Sequence, residues 1–285
     1  METEEKYLKN VDTLVPCPEI ALDVINIAQD VNCNFAKLSK KIEQDQNLVA
    51  NMLRMANSAY FGHMKKITSV PDIIVRLGLE NVKLIAISGA TIGLLKSPQE
   101  AYNLEPGALW KHSYATAILA EIVSKYCNIE DRSTLYTAAL LHDVGKVILN
   151  RPLLVAIFNN RAETQQYADN IDFERSMLQT DHARVGMALL QKWDLPGEIT
   201  VPVGYHHSSE LAKSNRLETQ VVQLSNELAR NIDFYSFKQE QFVFQALKFV
   251  EHAEKLPEVS GFLANMEDIF NEFYKKCNDA TIQFA

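Results

Sequence analysis

The sequence is short of the residues that punctuate β architectures and of those that staple small folds. Only 10 of its 285 residues are glycine, about half the usual share of roughly 7%, which disfavours a turn-dense β protein. Its four cysteines, Cys17, Cys33, Cys127 and Cys277, lie far apart and form no C-x-x-C pair, so neither a zinc knuckle nor a disulfide framework is suggested. A reducing, cytoplasmic location fits that usage. The opening "METEEKYLKN" is charged and lacks the apolar core of a secretory signal. The longest mainly apolar stretch, residues 84–95, is bracketed by Lys83 and Lys96 and falls well short of the roughly 20 residues a membrane-spanning helix needs. It reads as a buried helix, and no membrane insertion is expected. Basic charge is also scarce: 28 Lys and Arg against 36 Asp and Glu give a formal charge of −8, with a pI near 5.4. No basic stripe interleaved with aromatics appears, which argues against a nucleic-acid partner and against a broad footprint on an anionic membrane.

What is present points to helices. Hydrophobic residues make up 47% of the chain, ample for a sizeable core. They recur at helical spacing, whereas sustained alternation is hard to find, so the expected class is all-α. "PCPEIALDVINIAQD" starts after prolines and carries Ile20, Val24, Ile27 and Ala28 along one face. Asn34 reads as the N-cap of "FAKLSKKIEQD", with Phe35, Leu38 and Ile42 as its buried stripe. "NLVANMLRMANSAYFG" is expected to stop near Gly62, and Ser69 with Pro71 to open two helical pieces broken around Gly78.

The polar, proline-containing "KSPQEAYNLEP" separates an N-terminal helical part, residues 1–100, from a second helical core, residues 101–235. "STLYTAALLHDVGKVILN", "DHARVGMALLQKWDL" and "LETQVVQLSNELARNI" read as helices of that core. Residues 236–285 are expected to add two amphipathic helices, "FKQEQFVFQALKFVEHAEKL" and "ANMEDIFNEFYKKC". Trp110 and Trp193 read as core anchors.

Five of the seven histidines, His112, His142, His182, His206 and His207, fall on successive segments of the second core. Placed that way they can converge in a bundle interior as metal ligands. In "AALLHDVGKV", His142 and Asp143 project about 100° apart on a helix and can flank one cation close to its surface. A mixed imidazole and carboxylate set suits iron or manganese before a structural zinc. Lys146, one turn on, can meet a phosphate oxygen as a point charge. The plainer alternatives stay open: His206 and His207 as an exposed helix end, Lys146 as a solvated one, and no cofactor at all. His63 and His252, each alone on its segment, read as ordinary core or surface residues.

"LRMANSAYFGHMKKITSVPDIIVRLGLENVKLIAIS", residues 53–88, resembles the A-N-S-A-Y-F-G, I-x-S and L-G blocks of the HDOD proteins, regulatory relatives of the HD-domain phosphohydrolases. "LVPCPEIALDVINIA" resembles their opening helix, and "LWKHSYATAILA", "ALLHDVGKVIL", "DHARVGMALLQKWDLP" and "YHHSSE" resemble the HD core in order. The resemblance implies that His112, His142 and Asp143 are HD metal ligands and that Lys146 stands near phosphate. It implies that His182, His206 and His207 match the further histidines of the binuclear cyclic-dinucleotide phosphodiesterases, with one or two ions bound. Two departures count against turnover. Asn226 stands in "QLSNELA" where the closing helix of an HD site brings an aspartate, and "HHSSELAKSNRL" replaces the Gly-Tyr-Pro signature. An amide oxygen can still coordinate, so Asn226 joins the candidate ligands, but a formal charge is lost. The resemblance thus implies a stand-alone signalling module acting on a protein partner in trans, with a nucleotide as a candidate ligand. Its groove between halves and its C-terminal amphipathic helices are the candidate docking surfaces. The alternative is a metal-dependent phosphohydrolase acting on a nucleotide or cyclic dinucleotide.

Overall fold

The 3.6-residue periodicity is realised as helix throughout a computed structural model, which describes residues 2–9, 19–30, 33–57, 66–160, 171–231 and 265–281. Among the described residues the regular structure is helical, apart from one isolated bridge between Gln99 and Leu104. None of these helices is long and apolar enough to cross a membrane.

The N-terminal elements are α1 (Glu2–Leu8), α2 (Glu19–Gln29), α3 (Phe35–Ile42), α4 (Gln46–Ala56) and α5 (Val70–Lys96). Helix α2 buries Val24 and Ala28, with Ile20 and Ile27 packed against the same core. Asn34 caps α3, its Oδ1 accepting from the Lys37 amide at 3.1 Å. Leu38 and Ile42 are buried, but Phe35 is 50% exposed. That corrects the expected stripe: Phe35 is the first residue of α3, where the stripe runs past what α2 and α5 cover. Helix α4 ends at Ala56 rather than near Gly62. The Asn57 side chain donates to the Leu53 and Ile67 carbonyls, both at 2.7 Å, and accepts from the Ile67 amide at 2.8 Å, turning the chain there. Residues 58–65, with most of the "ANSAYFG" block, lie outside the described residues, as does the expected start of α2 around Pro16 and Pro18. Ser69 caps α5 as expected, and Gly78 breaks it with φ 75°, a conformation that costs glycine little. Besides α2, α3 and α4, α5 packs on α6, α7 and α8, so it is the seam joining the first helices to the rest.

Those later elements are α6 (Ala108–Tyr126), α7 (Arg132–Leu141), α8 (Val144–Asn160), α9 (Ile171–Leu178), α10 (His182–Lys192), α11 (Gly197–Tyr205), α12 (Arg216–Asn231) and α13 (Met266–Thr281). Helix α6 is the axis: α12, α7, α5 and α13 all pack on it. Trp110 and Trp193 are buried, as anchors should be. Of the two expected C-terminal helices, the first lies outside the described residues and the second is α13. Helix α13 buries Ile269 and Phe273 and is tied to α6 by charge. Lys276 pairs with the buried Glu121, and Lys125 pairs with Glu272 at 2.5 Å. Helix α1 has no counterpart in the sequence reading. It docks through the Tyr7 hydroxyl, which donates to the Leu178 carbonyl at 3.0 Å, and through Glu4, which accepts from Thr180 at 3.1 Å.

Candidate metal centre

Helix ends build the centre. Asp143 is not on the same helix as His142: α7 stops at Leu141, His142 caps it, and α8 starts at Val144. This corrects the expected continuous helix through "LLHDVGK". The break sets the Asp143 carboxylate at the N-terminal end of α8, where the helix dipole favours negative charge. His182 is the first residue of α10, His206 and His207 follow the end of α11, and His112 and Asn226 project from α6 and α12.

Two groups of ligand atoms result, His112 with His142 and Asp143, and His182 with His206 and His207, each within 4.8 Å of one another. Asp143 lies between them. Its Oδ2 is 3.3 Å from His142 Nε2 and 3.7 Å from His112 Nε2. Its Oδ1 is 3.2 Å from His182 Nε2 and 3.8 Å from His206 Nε2. Asn226 Oδ1 stands 2.9 Å from His112 Nε2, so all eight candidate residues are brought together. His142, Asp143, His182 and His206 are sealed from solvent, while His112, with 20% of its side chain exposed, and the half-buried His207 form the open side.

Backbone carbonyls fix two of the imidazoles. His142 Nδ1 is 2.7 Å from the Ala139 carbonyl and His206 Nδ1 is 2.7 Å from that of Val203. A carbonyl only accepts, so each Nδ1 carries a proton and each ring turns its Nε2 inward. Neither Nε2 makes a hydrogen bond although both are buried, a condition that asks for a bound species. The donor set therefore fits a divalent cation. His182 is held by a carboxylate instead: Glu174 accepts from its Nδ1 at 2.8 Å and from its amide at 2.6 Å. His182 Nε2 faces His207 Nε2 at 3.0 Å.

The charges reinforce one another. Burial pushes the Asp143 carboxyl up, but the charges of His142 and Lys146 outweigh it and hold it well below 3.8. Burial likewise opposes charge on His182, yet Glu174 and Asp143 raise it to about 9. Burial and the neighbouring histidines push His206 well below 6.5, and burial with the charge of His182 takes His207 to about 2. The last two are neutral imidazoles, the form that ligates. Lys146 is no solvated helix end: it is 2% exposed, its Nζ 2.8 Å from Asp143 Oδ2. His206 and His207 form no exposed end either.

Two residues that shape the centre were not singled out from sequence. Glu174 lies on α9, eight residues before His182, and no local pattern links them. Gly145 permits α8 to cross α10, since a Cβ there would meet the His182 carbonyl oxygen at 2.0 Å. A glycine inside a helical pattern of a glycine-poor chain is a signal of close backbone approach. His63 and His252 lie outside the described residues.

The model of the HDOD domain matches residues 14–209. The chain is 25% identical over 205 residues, 70% of its length, to an uncharacterized protein of Treponema pallidum, of which it spans 38%. In fold it is similar to a Shewanella amazonensis protein provisionally described as a phosphohydrolase, with TM-score 0.67 and 19% identity, covering 95% of this chain and 97% of that one. It is also similar to an HDOD domain protein of unknown function from Geobacter sulfurreducens, with TM-score 0.62 and 22% identity, covering 96% and 97%. The family match spans most of the chain and runs through the histidine and aspartate positions of the centre up to His207, so the chain belongs to the HDOD family.

Proposed function

We propose that this protein is a metal-binding HDOD signalling module that acts on a protein partner in trans and holds one or two ions, iron or manganese, in its histidine and aspartate centre. The observation that carries the reading is the pair of buried, unbonded Nε2 atoms of His142 and His206 on either side of Asp143. One ion would be held by His112, His142 and Asp143, with Asn226 as a further donor. The other would be held by His182, His206 and His207, with Asp143 shared. Mixed imidazole and carboxylate donors favour iron or manganese. The groove between the N-terminal helices and the core, or the C-terminal helices, would meet the partner, and a nucleotide is the candidate small ligand on the side of His112 and His207.

Two features support binding over turnover. Lys146 is engaged by Asp143 and sealed from solvent, so its ammonium is not presented to an incoming phosphate. Asn226 spends its side-chain oxygen on His112 and brings no charge. Elemental analysis after incubation with iron or manganese and desalting tests the reading. Near-stoichiometric metal in the wild type, lost in a folded His142→Ala protein, is expected; no retained metal overturns it.

The alternative, a metal-dependent phosphohydrolase, draws on the position of Asp143 between two triads. A bound ion there would supply a water of lowered pKa. The chain would contribute the clamp of His182, His206 and His207 opposite His112 and His142, with Asp143 orienting both. Metal-dependent hydrolysis of a nucleotide or cyclic-dinucleotide ester that disappears in folded His142→Ala and Asp143→Ala proteins would establish this alternative.

A further inference from the structure

We infer that the two cation positions are unequal, and that Glu174 makes the three-histidine position the tighter one, so that it fills first. The inference rests on the metal-binding reading above and concerns how that centre loads.

The two groups are prepared differently. His182 is backed by a buried carboxylate at 2.8 Å and 2.9 Å from its Nδ1, while the same Glu174 accepts from the His182 amide. One residue thus fixes the ring, its tautomer and the backbone that carries it. A carboxylate behind an imidazole raises its basicity as a ligand, and removing such partners costs about 10–100-fold in metal affinity. His206 in the same group is already aimed by the Val203 carbonyl. Both rings are therefore aimed before an ion arrives, and the ion has to displace only the contact of His182 Nε2 with His207 Nε2 at 3.0 Å.

The other position must be opened. With Asn226 Oδ1 at 2.9 Å, His112 Nε2 is the donor and carries the proton that a ligand atom cannot keep. The proton has to move to Nδ1 and the hydrogen bond has to break before His112 can ligate. His112 is also partly open to solvent, with 20% of its side chain exposed. On this side His142 alone comes aimed.

The test is a Co2+ titration of metal-free protein by calorimetry, with visible absorption reporting the ligand set. The wild type is expected to take up two equivalents in separate steps. Glu174→Gln keeps one of the two acceptor oxygens for His182 and removes the charge. It should weaken the first step about 10–100-fold and leave the second unchanged, whereas a merely structural role would shift both. His112→Ala should erase the second step alone. Two indistinguishable steps, a Glu174→Gln protein titrating like wild type, or loss of the tighter step in His112→Ala would overturn the inference while leaving metal binding intact. No uptake by wild type would overturn the metal-binding reading and this inference with it.

Discussion

Gly145→Ala should damage both stability and the centre. An alanine Cβ would stand 2.0 Å from the His182 carbonyl oxygen and 2.8 Å from the Gly186 amide nitrogen, where real Cβ contacts do not fall below 3.0 Å. Both obstacles are backbone, so α8 and α10 must part by at least the 1.0 Å difference. That moves His182 away from Asp143 and stretches its bonds to Glu174. Overpacking of this kind costs about 1–3 kcal/mol, and a weakened bond to a charged group about 1.5–3 kcal/mol more. The melting temperature should fall by on the order of 10 °C, and retained iron or manganese should drop with it. Gly93→Ala is the control, because nothing lies within 4 Å of its Cβ and its helical backbone suits alanine; it should be neutral or stabilising by up to about 1 kcal/mol. Circular dichroism melts of metal-free protein and elemental analysis read both effects. A Gly145→Ala protein that melts within about 2 °C of wild type and retains full metal would refute the reasoning.

Asn226→Asp should lower the melting temperature of metal-free protein, because the added carboxylate joins a cluster that already holds the buried Asp143, and should tighten metal uptake in the same titration. Lys276→Ala leaves the buried Glu121, among the described residues, with Lys125 3.5 Å away. The loss should be about 2 kcal/mol by chemical denaturation, less than the 3–5 kcal/mol of a buried pair stripped of its only partner. Docking of α13 should weaken in acid. Burial pushes the Glu272 carboxyl up, but its hydrogen bond to Lys125 and the charges of Lys125 and Lys276 hold it below 4.5. A depressed carboxyl contributes above its unfolded value, and that contribution is lost as pH falls through the folded one. Protection factors across 266–281, taken after division by the intrinsic exchange rate at each pH, should therefore fall below pH 4.5 and stay constant above it. The effect is under about 1 kcal/mol, since the pair is partly solvated.

Features encoded by one or two neighbouring residues were legible in the sequence. Asn34 and Ser69 cap helices through their own side chains, and Gly78 takes a conformation that few other residues tolerate. Features set by distant contacts were not. Phe35 fits its stripe perfectly by spacing, yet nothing in a periodicity says where the neighbouring helix stops. The turn at His142 and Asp143 interrupts an apolar run that would continue as helix in isolation. The convergence of His112, His142, His182, His206 and His207 could be suspected from their order along the chain, but family resemblance carried it further than spacing did. Glu174 was invisible because a buried carboxylate announces itself only through the partner it meets.

The charge contact between α13 and α6 bears on what can fold alone. The family-matched stretch ends at residue 209 and α12, the last described helix before α13, at Asn231, so either would be a natural place to cut. Each cut leaves Glu121 on the central helix without Lys276 and uncovers the surface that Ile269 and Phe273 occupy. A truncated protein should be driven to self-associate through that bared face. Any partner helix that presents two apolar residues four apart and a lysine three residues after the second could stand in for the missing helix.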